Sequence, residues 1–288
     1  MKKGKNSQFH DIWRRLKKNK IAMVSMVFIL ILVTVAIFAD VIADYETVVI
    51  KNNISERLQA PSAAHWFGTD AYGRDVFARI IHGARISLLI GVVTTIMSLV
   101  LGCAVGSISG YFGGKVDSII MRICDIFMAI PAMLMALAIV AALGRGLFNL
   151  MIALTITSVP SCARMMRSQI LVIRESEYVE AARSVGASNF SIILRHIIPN
   201  AIGPLIVQGT LNLATAILSA AALSYVGLGV EPPMPEWGSM LSEAREFMRS
   251  ETYLLLVPGS AIILTALSFN LFGDGLRDAM DPRLKGNH

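Results

Sequence analysis

The sequence is poor in charged side chains, and this shortage indicates the class of protein. Asp, Glu, Lys and Arg make up 16% of the 288 residues, whereas 55% are hydrophobic and the mean hydropathy is +0.62. A soluble domain carries about 25% charged residues, so this chain cannot cover a water-soluble globule of its size. The composition also excludes a disordered chain and a coiled coil, and it leaves a protein that crosses a membrane several times.

Aromatic residues and cysteines are also scarce. Aromatic residues account for 7% of the chain, which together with many Gly and Ala favours helical spans over a membrane β-barrel with its aromatic girdles. The cysteines are odd in number and lack the spacing of metal ligands, which argues against a disulfide scaffold. They lie in or beside apolar runs and are predicted to be small buried residues: Cys103, Cys124 and Cys162.

Six apolar runs are long enough to cross a bilayer. The first covers about 28 Å as a helix, close to the hydrocarbon thickness of ~30 Å. It is longer than the apolar part of a secretory signal, and no small-residue cleavage site follows it, so it is predicted to be a retained anchor. The third and fourth runs are separated only by residues 144–146, which predicts a tight hairpin. The runs are 21–39, 86–108, 126–143, 147–163, 201–228 and 253–272.

The basic residues are unevenly distributed between the loops. If six helices alternate in direction, 18 of the 26 Lys and Arg fall on the side of the two termini, so the positive-inside rule predicts cytoplasmic termini. The basic segment 1–20 has apolar residues at helical spacing and is predicted to lie in the headgroup layer as an amphipathic helix. The net charge of +6 is then explained without a nucleic-acid partner. The apolar residues of this segment are Phe9, Ile12, Trp13 and Leu16.

Few polar side chains lie deep in the predicted spans, and none of them is ionisable. An ion-driven secondary carrier needs ionisable groups at mid-bilayer, where a charge costs about 2.5–3.5 kcal/mol, and an internal repeat. The sequence shows neither, and an intramembrane hydrolase is disfavoured because no His lies in the spans. Neutral polar residues either line a passage for a solute or form hydrogen bonds between helices. The candidates are Thr155, Gln208, Asn212 and Ser219.

Small residues and prolines predict how the spans pack. Gly102, Gly106 and Gly110 recur at every fourth position of the second span, which predicts the close approach of another helix. Packing within the chain is favoured over contact between subunits. Prolines in or beside spans three to six permit kinks; they are Pro131, Pro160, Pro204 and Pro258.

Two loops on the side away from the termini contain several charged residues. Segment 66–88, WFGTDAYGRDVFARIIHGARISL, is predicted to begin with a turn and to continue as a helix into the second span, with Arg74, Arg79 and Arg85 facing water. The loop before the sixth span has apolar residues at helical spacing and is predicted to form an amphipathic helix over the outer mouth. That helix contacts either a delivery protein or the membrane surface. It contains Glu236, Trp237, Met240, Leu241, Glu243, Ala244, Glu246, Phe247 and Met248.

The loop between the fourth and fifth spans is too long for a simple connection. It has about 37 residues, whereas most helix connections have 2–8. Its second part, EYVEAARSVGASNFSIILRHIIPN at 177–200, predicts a short helix, a turn at Gly186, and a second helix from Asn189 that ends before Pro199. The residues alone allow two interpretations: an ordinary helical hairpin at the membrane surface, or an element that docks in a groove of another protein.

This loop resembles the EAA loop of binding-protein-dependent ABC importer permeases. The matching residues are Glu180-Ala181-Ala182, Gly186 and a final His196-Ile197-Ile198-Pro199, where the family pattern is I-x-L-P. Other strings resemble the "C" subunits of the dipeptide, oligopeptide and nickel permeases, and together they cover nearly the whole chain after Lys20. They are GTD-x-x-GRD, GYFGG, IMRICDIFMAIP, PPMPEWGSML and FNLFGDGLRDAMDPR.

The resemblance implies both a fold and a function. The fold would be all-α, a polytopic membrane protein with six transmembrane helices and the type I (MetI-like) importer permease fold. The chain would be the permease subunit of an ABC importer for small peptides in a bacterial or archaeal plasma membrane. Its partners would be a homologous second permease, two cytoplasmic ATPase subunits and an extracytoplasmic binding protein. The alternative is an importer of nickel or another small solute.

In this family the EAA loop docks on the ATPase subunit as a coupling helix. The resemblance assigns that role to Glu180, Ala181, Ala182, Arg183, Gly186 and Pro199. The nearest approach to a phosphate-binding loop, GYFGGK, has the wrong spacing, and Val116 stands where Ser or Thr should bind Mg²⁺. ATP and Mg²⁺ are therefore expected on the partner ATPases. The chain itself is expected to have no catalytic residue and to bind no cofactor or metal.

The chain is accordingly divided into five segments. They are a cytoplasmic amphipathic segment (1–20), a transmembrane anchor (21–42), an extracytoplasmic loop (43–85), a five-helix permease core (86–275) with the coupling loop at 164–200, and a cytoplasmic tail (276–288).

Overall fold

Helices dominate residues 5–280, the part of the chain that the computed structural model describes. No β-strand occurs in this part. Predictions for residues 1–4 and 281–288, at the ends of the N-terminal segment and the tail, lie outside the described residues. The α-helices are α1 (Lys5–Leu16), α2 (Lys20–Ile37), α3 (Ala39–Ile42), α4 (Val76–Phe112), α5 (Gly114–Ala129), α6 (Ala132–Leu143), α7 (Leu147–Ile173), α8 (Glu177–Ser184), α9 (Asn189–Ile192), α10 (Ile198–Tyr225), α11 (Trp237–Glu243) and α12 (Tyr253–Met280).

Five helical segments are long and apolar enough to cross a membrane. They are α2, α4, α7, α12 and the continuous segment 189–225, in which α9 and α10 are joined by a π-helical turn, Ile193–Ile197. A sixth crossing is formed if α5 and α6, which meet at 90°, count as one broken span. The described residues therefore provide five spans, or the predicted six when this pair is counted as one.

The third span is not the single helix expected at 126–143. Ile130 and Pro131 separate α5 from α6, and both have extended backbone conformations. Proline disfavours the helical conformation for the residue before it and cannot donate a backbone hydrogen bond. The apolar run continues through this point, so composition alone does not reveal the break.

Helix α4 is the longest element and lies at the centre of the bundle. Its 37 residues span about 55 Å at 1.5 Å per residue, more than the ~30 Å hydrocarbon layer. The Asp75 side chain caps its start by accepting a hydrogen bond from the Ala78 backbone N–H at 2.8 Å. The prediction that helix begins near Val76 and runs into the second span is confirmed. Helix α4 thus extends beyond the membrane at one end at least.

The two ends of the bundle are distinguished by the elements that meet there. At the end where α2 begins and α12 finishes, called the terminal end below, Leu16, Ala22 and Ala279 pack together. Half-buried Ile12 and Trp13 join this cluster, so the apolar side of α1 contacts α12; the side chain of Phe9, also assigned to this side, lies outside the described residues. At the opposite end, the hydroxyl of Tyr253 donates to backbone oxygens of the loop before α4.

The glycines of α4 pack against α7 of the same chain. A Cβ added at Gly102 would overlap Cys162, and one added at Gly106 would overlap the carbonyl oxygen of Ala163 and lie 2.8 Å from the Cβ of Met166. The intrachain interpretation of the glycine repeat is therefore correct. Among the cysteines, Cys124 and Cys162 are buried as predicted, and Cys103 is half-buried.

Gly106→Ala is expected to destabilise the protein by about 1–3 kcal/mol, because backbone atoms of α7 must move to admit the methyl group. The matched control is Gly259→Ala, also inside a helix, where an added Cβ would meet nothing within 4 Å. Thermal unfolding midpoints in detergent should fall for the first variant only. Equal midpoints for the two variants would contradict the close α4–α7 contact.

Helix α11 is more deeply buried than the prediction of an amphipathic helix over the outer mouth implies, since residues 237–240 are buried. Trp237 is fully buried, and its Nε1 donates to the carbonyl of Ile80 at 3.1 Å. Buried Glu236 accepts hydrogen bonds at 2.8 Å from the backbone N–H groups of Gly238 and Ser239, capping the helix. Burial raises the pKa of the Glu236 carboxyl, and these hydrogen bonds oppose the rise.

Candidate functional site: the loop around α8, a groove beside α10 and a buried charge cluster

Helix α8 lies at the terminal end of the bundle and is anchored by one side chain. Val179 is fully buried and packs in a cluster with Met166 and Ile170 of α7 and with Ile192 and Ile197 beyond the turn. The short helix, the turn and the following helix are all present as predicted. Only one face of α8 is used for packing inside the chain.

The turn after α8 has a backbone conformation that favours glycine. Gly186 has φ +83°, the left-handed region. The backbone N–H of Ala187 donates to the carbonyl of Ala182 at 3.1 Å, and that of Gly186 donates to the carbonyl of Arg183 at 3.0 Å. This is the Schellman pattern of a helix C-terminus. A Cβ at Gly186 would meet nothing within 4 Å, so the restriction is conformational and not steric.

The residues of α8 that the sequence assigned are mostly exposed to solvent. Glu180, Ala181 and Arg183 are exposed, and Ala182 is half-buried. Next to them, apolar side chains reach solvent: Val185 is 84% exposed and Phe190 73% exposed. An exposed apolar patch of this kind marks a surface that meets another protein or the membrane.

Pro199 does not end the second helix of the loop, contrary to the prediction. It lies in the first turn of α10, directly after the π-helical turn Ile193–Ile197. Proline is tolerated in the first turn of a helix, where its missing N–H is not needed. The Asn200 side chain donates to the carbonyl of His196 at 2.6 Å. The helix therefore continues from Asn189 to Tyr225.

Two of the predicted path residues, Gln208 and Asn212, are brought together on α10. Gln208 Nε2 donates to Asn212 Oδ1 at 2.8 Å, and Asn212 Nδ2 donates to the Sγ of Cys162 on α7 at 3.3 Å. Gln208 lines a groove of about 510 Å³ between α7, α10 and α12. The other residues lining this groove are Met165, Gly203, Pro204, Val207, Leu211, Arg277 and Met280.

The other two predicted path residues lie elsewhere. Thr155 is buried in α7, and its hydroxyl donates to the carbonyl of Met151 at 2.7 Å. Ser219 is half-buried on α10, two turns beyond Asn212. A role for all four residues in one passage stays a prediction.

At the opposite end, two arginines that were predicted to face water are buried. Arg74 is 3% exposed and Arg79 is 1% exposed. Arg74 binds Asp70 (Nε to Oδ2, 2.7 Å) and Glu243 (Nη2 to Oε2, 2.6 Å), and Arg79 binds the same Glu243 oxygen at 3.1 Å. Arg79 Nε also lies 3.5 Å from Asp70 Oδ2. These four residues, the charge cluster, join α11 to α4 and to the loop before it.

The charge cluster was missed because its partners are far apart in sequence. Arg79 and Glu243 are separated by 164 positions, and only the i, i+4 pair of Asp70 and Arg74 is visible locally. Arg85 agrees better with the prediction: its side chain is 37% exposed and pairs with the exposed Asp40 at 2.9 Å.

The described residues thus form a bundle of membrane-crossing helices with a helical loop exposed at one end, which is the architecture of a transport permease subunit. The family model described as the binding-protein-dependent transport system inner membrane component matches residues 102–286. A model of the N-terminal transmembrane domain of oligopeptide transport permease C matches residues 7–61. The chain belongs to this family of ABC importer permeases.

Similar proteins agree with this assignment. The dipeptide transport system permease protein DppC of Alkalihalophilus pseudofirmus is 47% identical over 279 residues, covering 97% of this chain and 91% of the relative. The glutathione transport system permease protein GsiD of Escherichia coli is 45% identical over 280 residues, covering 96% and 91%. A solved structure of the MetNI methionine ABC transporter has a TM-score of 0.59 at 20% identity and covers 70% of this chain and 97% of that one. The fold is therefore the MetI type.

Proposed function

We propose that this chain carries small peptides across the plasma membrane of a bacterium or archaeon, as one permease subunit of an ATP-driven importer. Similarity to the dipeptide permease over 97% of the chain supports this substrate class. Glutathione is itself a short peptide, so the similarity to glutathione permeases falls in the same class.

The terminal end is assigned to the cytoplasm. Most basic residues fall on that side, and α8 is exposed there. A homologous second permease completes the passage, and a binding protein delivers the peptide at the opposite end. Two separate ATPase subunits bind ATP and Mg²⁺, so the chain is assigned no catalytic residue, cofactor or metal of its own.

The observation that carries the proposal is the geometry of α8. Val179 fixes one face of α8 against α7, while Glu180 and Ala181 are exposed on the other side of the helix. An ATPase that binds the exposed face therefore moves α7 and α10 through a packed contact. The two permease states differ in their contacts with the ATPase dimer, and this difference is what shifts their populations.

Reconstitution tests the proposal. Proteoliposomes that contain the chain, its second permease and the ATPases are expected to take up a labelled dipeptide only with both ATP and the binding protein. The same vesicles, offered labelled glutathione or Ni²⁺, distinguish the peptide class from the nickel alternative. Uptake driven by a proton gradient without ATP would contradict the proposal, and so would uptake of Ni²⁺ but no peptide.

A further inference from the structure

Tyr111, in the last turn of α4, contacts the EAA loop on both sides of its glycine turn. Its hydroxyl donates to Asn189 Oδ1 at 2.7 Å. The guanidinium carbon of Arg183 lies 5.9 Å from the centre of its ring. The ring itself is half-buried against the apolar cluster around Val179 and Ile192. One side chain therefore connects the end of α8, the start of α9 and the central helix of the bundle.

The backbone around Tyr111 is held firmly on α7. Arg174 Nη1 donates to the carbonyl of Gly110 at 3.0 Å. A Cβ at Gly110 would lie 3.0 Å from the Cβ of Ile170, so the helices are in close contact there. Just beyond the end of α4, Arg167 of α7 makes two hydrogen bonds of 2.5 Å to Asp117. The end of α4 is thus fixed, and the Tyr111 side chain extends from it to the loop.

The other end of α4 carries the charge cluster. Arg79 lies in the first turn of the helix and binds Glu243 at the end of α11. A continuous helix transmits a displacement along its axis because each turn is hydrogen-bonded to the next. The loop at the terminal end and the cluster at the opposite end are therefore joined by one element.

We infer that Tyr111 is a positioning residue that passes movement of the EAA loop to α4 and so couples ATP hydrolysis on the partner subunits to opening of the opposite end. This inference rests on the proposed function. Its distinct content is that the Tyr111–Asn189 hydrogen bond sets the position of the loop relative to α4.

The test measures the number of peptides taken up per ATP hydrolysed in the reconstituted complex, and compares this ratio between each variant and the wild type. Tyr111→Phe keeps the ring under Arg183 and removes only the hydroxyl. It is expected to lower this ratio about two- to tenfold, the effect of losing one hydrogen bond, while co-purification with the ATPases stays unchanged. Tyr225→Phe is the matched control, because Tyr225 also has an arginine over its ring, Arg245 at 5.0 Å, and no hydrogen bond of its hydroxyl is seen among residues 5–280.

A double-variant cycle separates a specific bond from general loosening. Asn189→Ala should match Tyr111→Phe, and the double variant should be no worse than either, since all three remove the same bond. Asn189→Asp keeps an acceptor oxygen and should retain coupling.

A wild-type ratio in Tyr111→Phe, or independent losses that multiply in the double variant, would overturn the inference while leaving the proposed function intact. If the wild-type complex itself shows no uptake that depends on ATP and the binding protein, the proposed function fails instead.

Discussion

Glu180→Lys is expected to abolish ATP-driven peptide uptake while leaving the protein folded and inserted. Glu180 is exposed, and no hydrogen bond or ion pair of its side chain is seen among the described residues, so the bundle loses no contact. A reversed charge at a protein interface costs several kcal/mol, which corresponds to a loss of affinity of more than about a hundredfold. Uptake and co-purification with the ATPases measure the effect.

The matched control is Glu46→Lys, the same change of charge at an exposed position of the opposite end. It should leave association with the ATPases at the wild-type level. If Glu180→Lys bound the ATPases and supported normal uptake, the docking role of α8 would have to be given up.

A substitution at Gly186 perturbs the same loop through its backbone conformation, whereas Glu180→Lys acts through charge. Gly186→Val places a branched side chain at φ +83°, where a non-glycine residue costs about 1–2 kcal/mol. The end of α8 should be disturbed and uptake should fall. Gly186→Asn should stay close to wild type, because Asn adopts this conformation more readily than other residues and the space around the position is empty.

Arg79→Met is expected to destabilise the protein strongly, by about 3–5 kcal/mol. It leaves Asp70 and Glu243 sharing a single arginine, so the buried cluster gains a net negative charge. The thermal unfolding midpoint in detergent should fall steeply. Arg164→Met, which breaks the exposed pair with Asp125, is the control and should cost about 0–1 kcal/mol.

A second substitution shows whether charge imbalance causes the loss of stability in Arg79→Met. Arg79→Met combined with Glu243→Met leaves the neutral pair of Arg74 and Asp70. Because replacing a whole buried ion pair by apolar residues is often nearly neutral, the double variant should be more stable than Arg79→Met alone. A double variant that is less stable than both single variants would show that packing and not charge governs this region.

The helices were predictable because long apolar runs and glycine spacing are local signals. The run at 21–39 and the glycines at 102, 106 and 110 needed only one segment of sequence to be interpreted, and the structure gives α2 and the α4–α7 contact. The bend at Pro131 was harder to predict, since a proline inside an apolar run is tolerated in some spans and breaks others.

The charge cluster and the burial of α11 could not be predicted, because each depends on segments far apart in the chain. Arginines at helical spacing before a span are typical of a solvated helix extension, and only the folded structure places Glu243 beside them. Trp237 likewise looks interfacial until α4 and α10 cover it. In the EAA loop, by contrast, helix and turn formers are consecutive, so α8 and Gly186 were found.

The most direct test of the central claim, that ATP-driven motion enters through α8 at the cytoplasmic end, is site-specific cross-linking in the assembled transporter. Single cysteines would be placed at Val185 and Ala64, both exposed and at opposite ends, after Cys103, Cys124 and Cys162 are replaced by Ala. The cysteine at position 185 should cross-link to an ATPase subunit, and the one at position 64 should not. Cross-linking of the ATPase to position 64, with none to position 185, would contradict both the orientation and the coupling role.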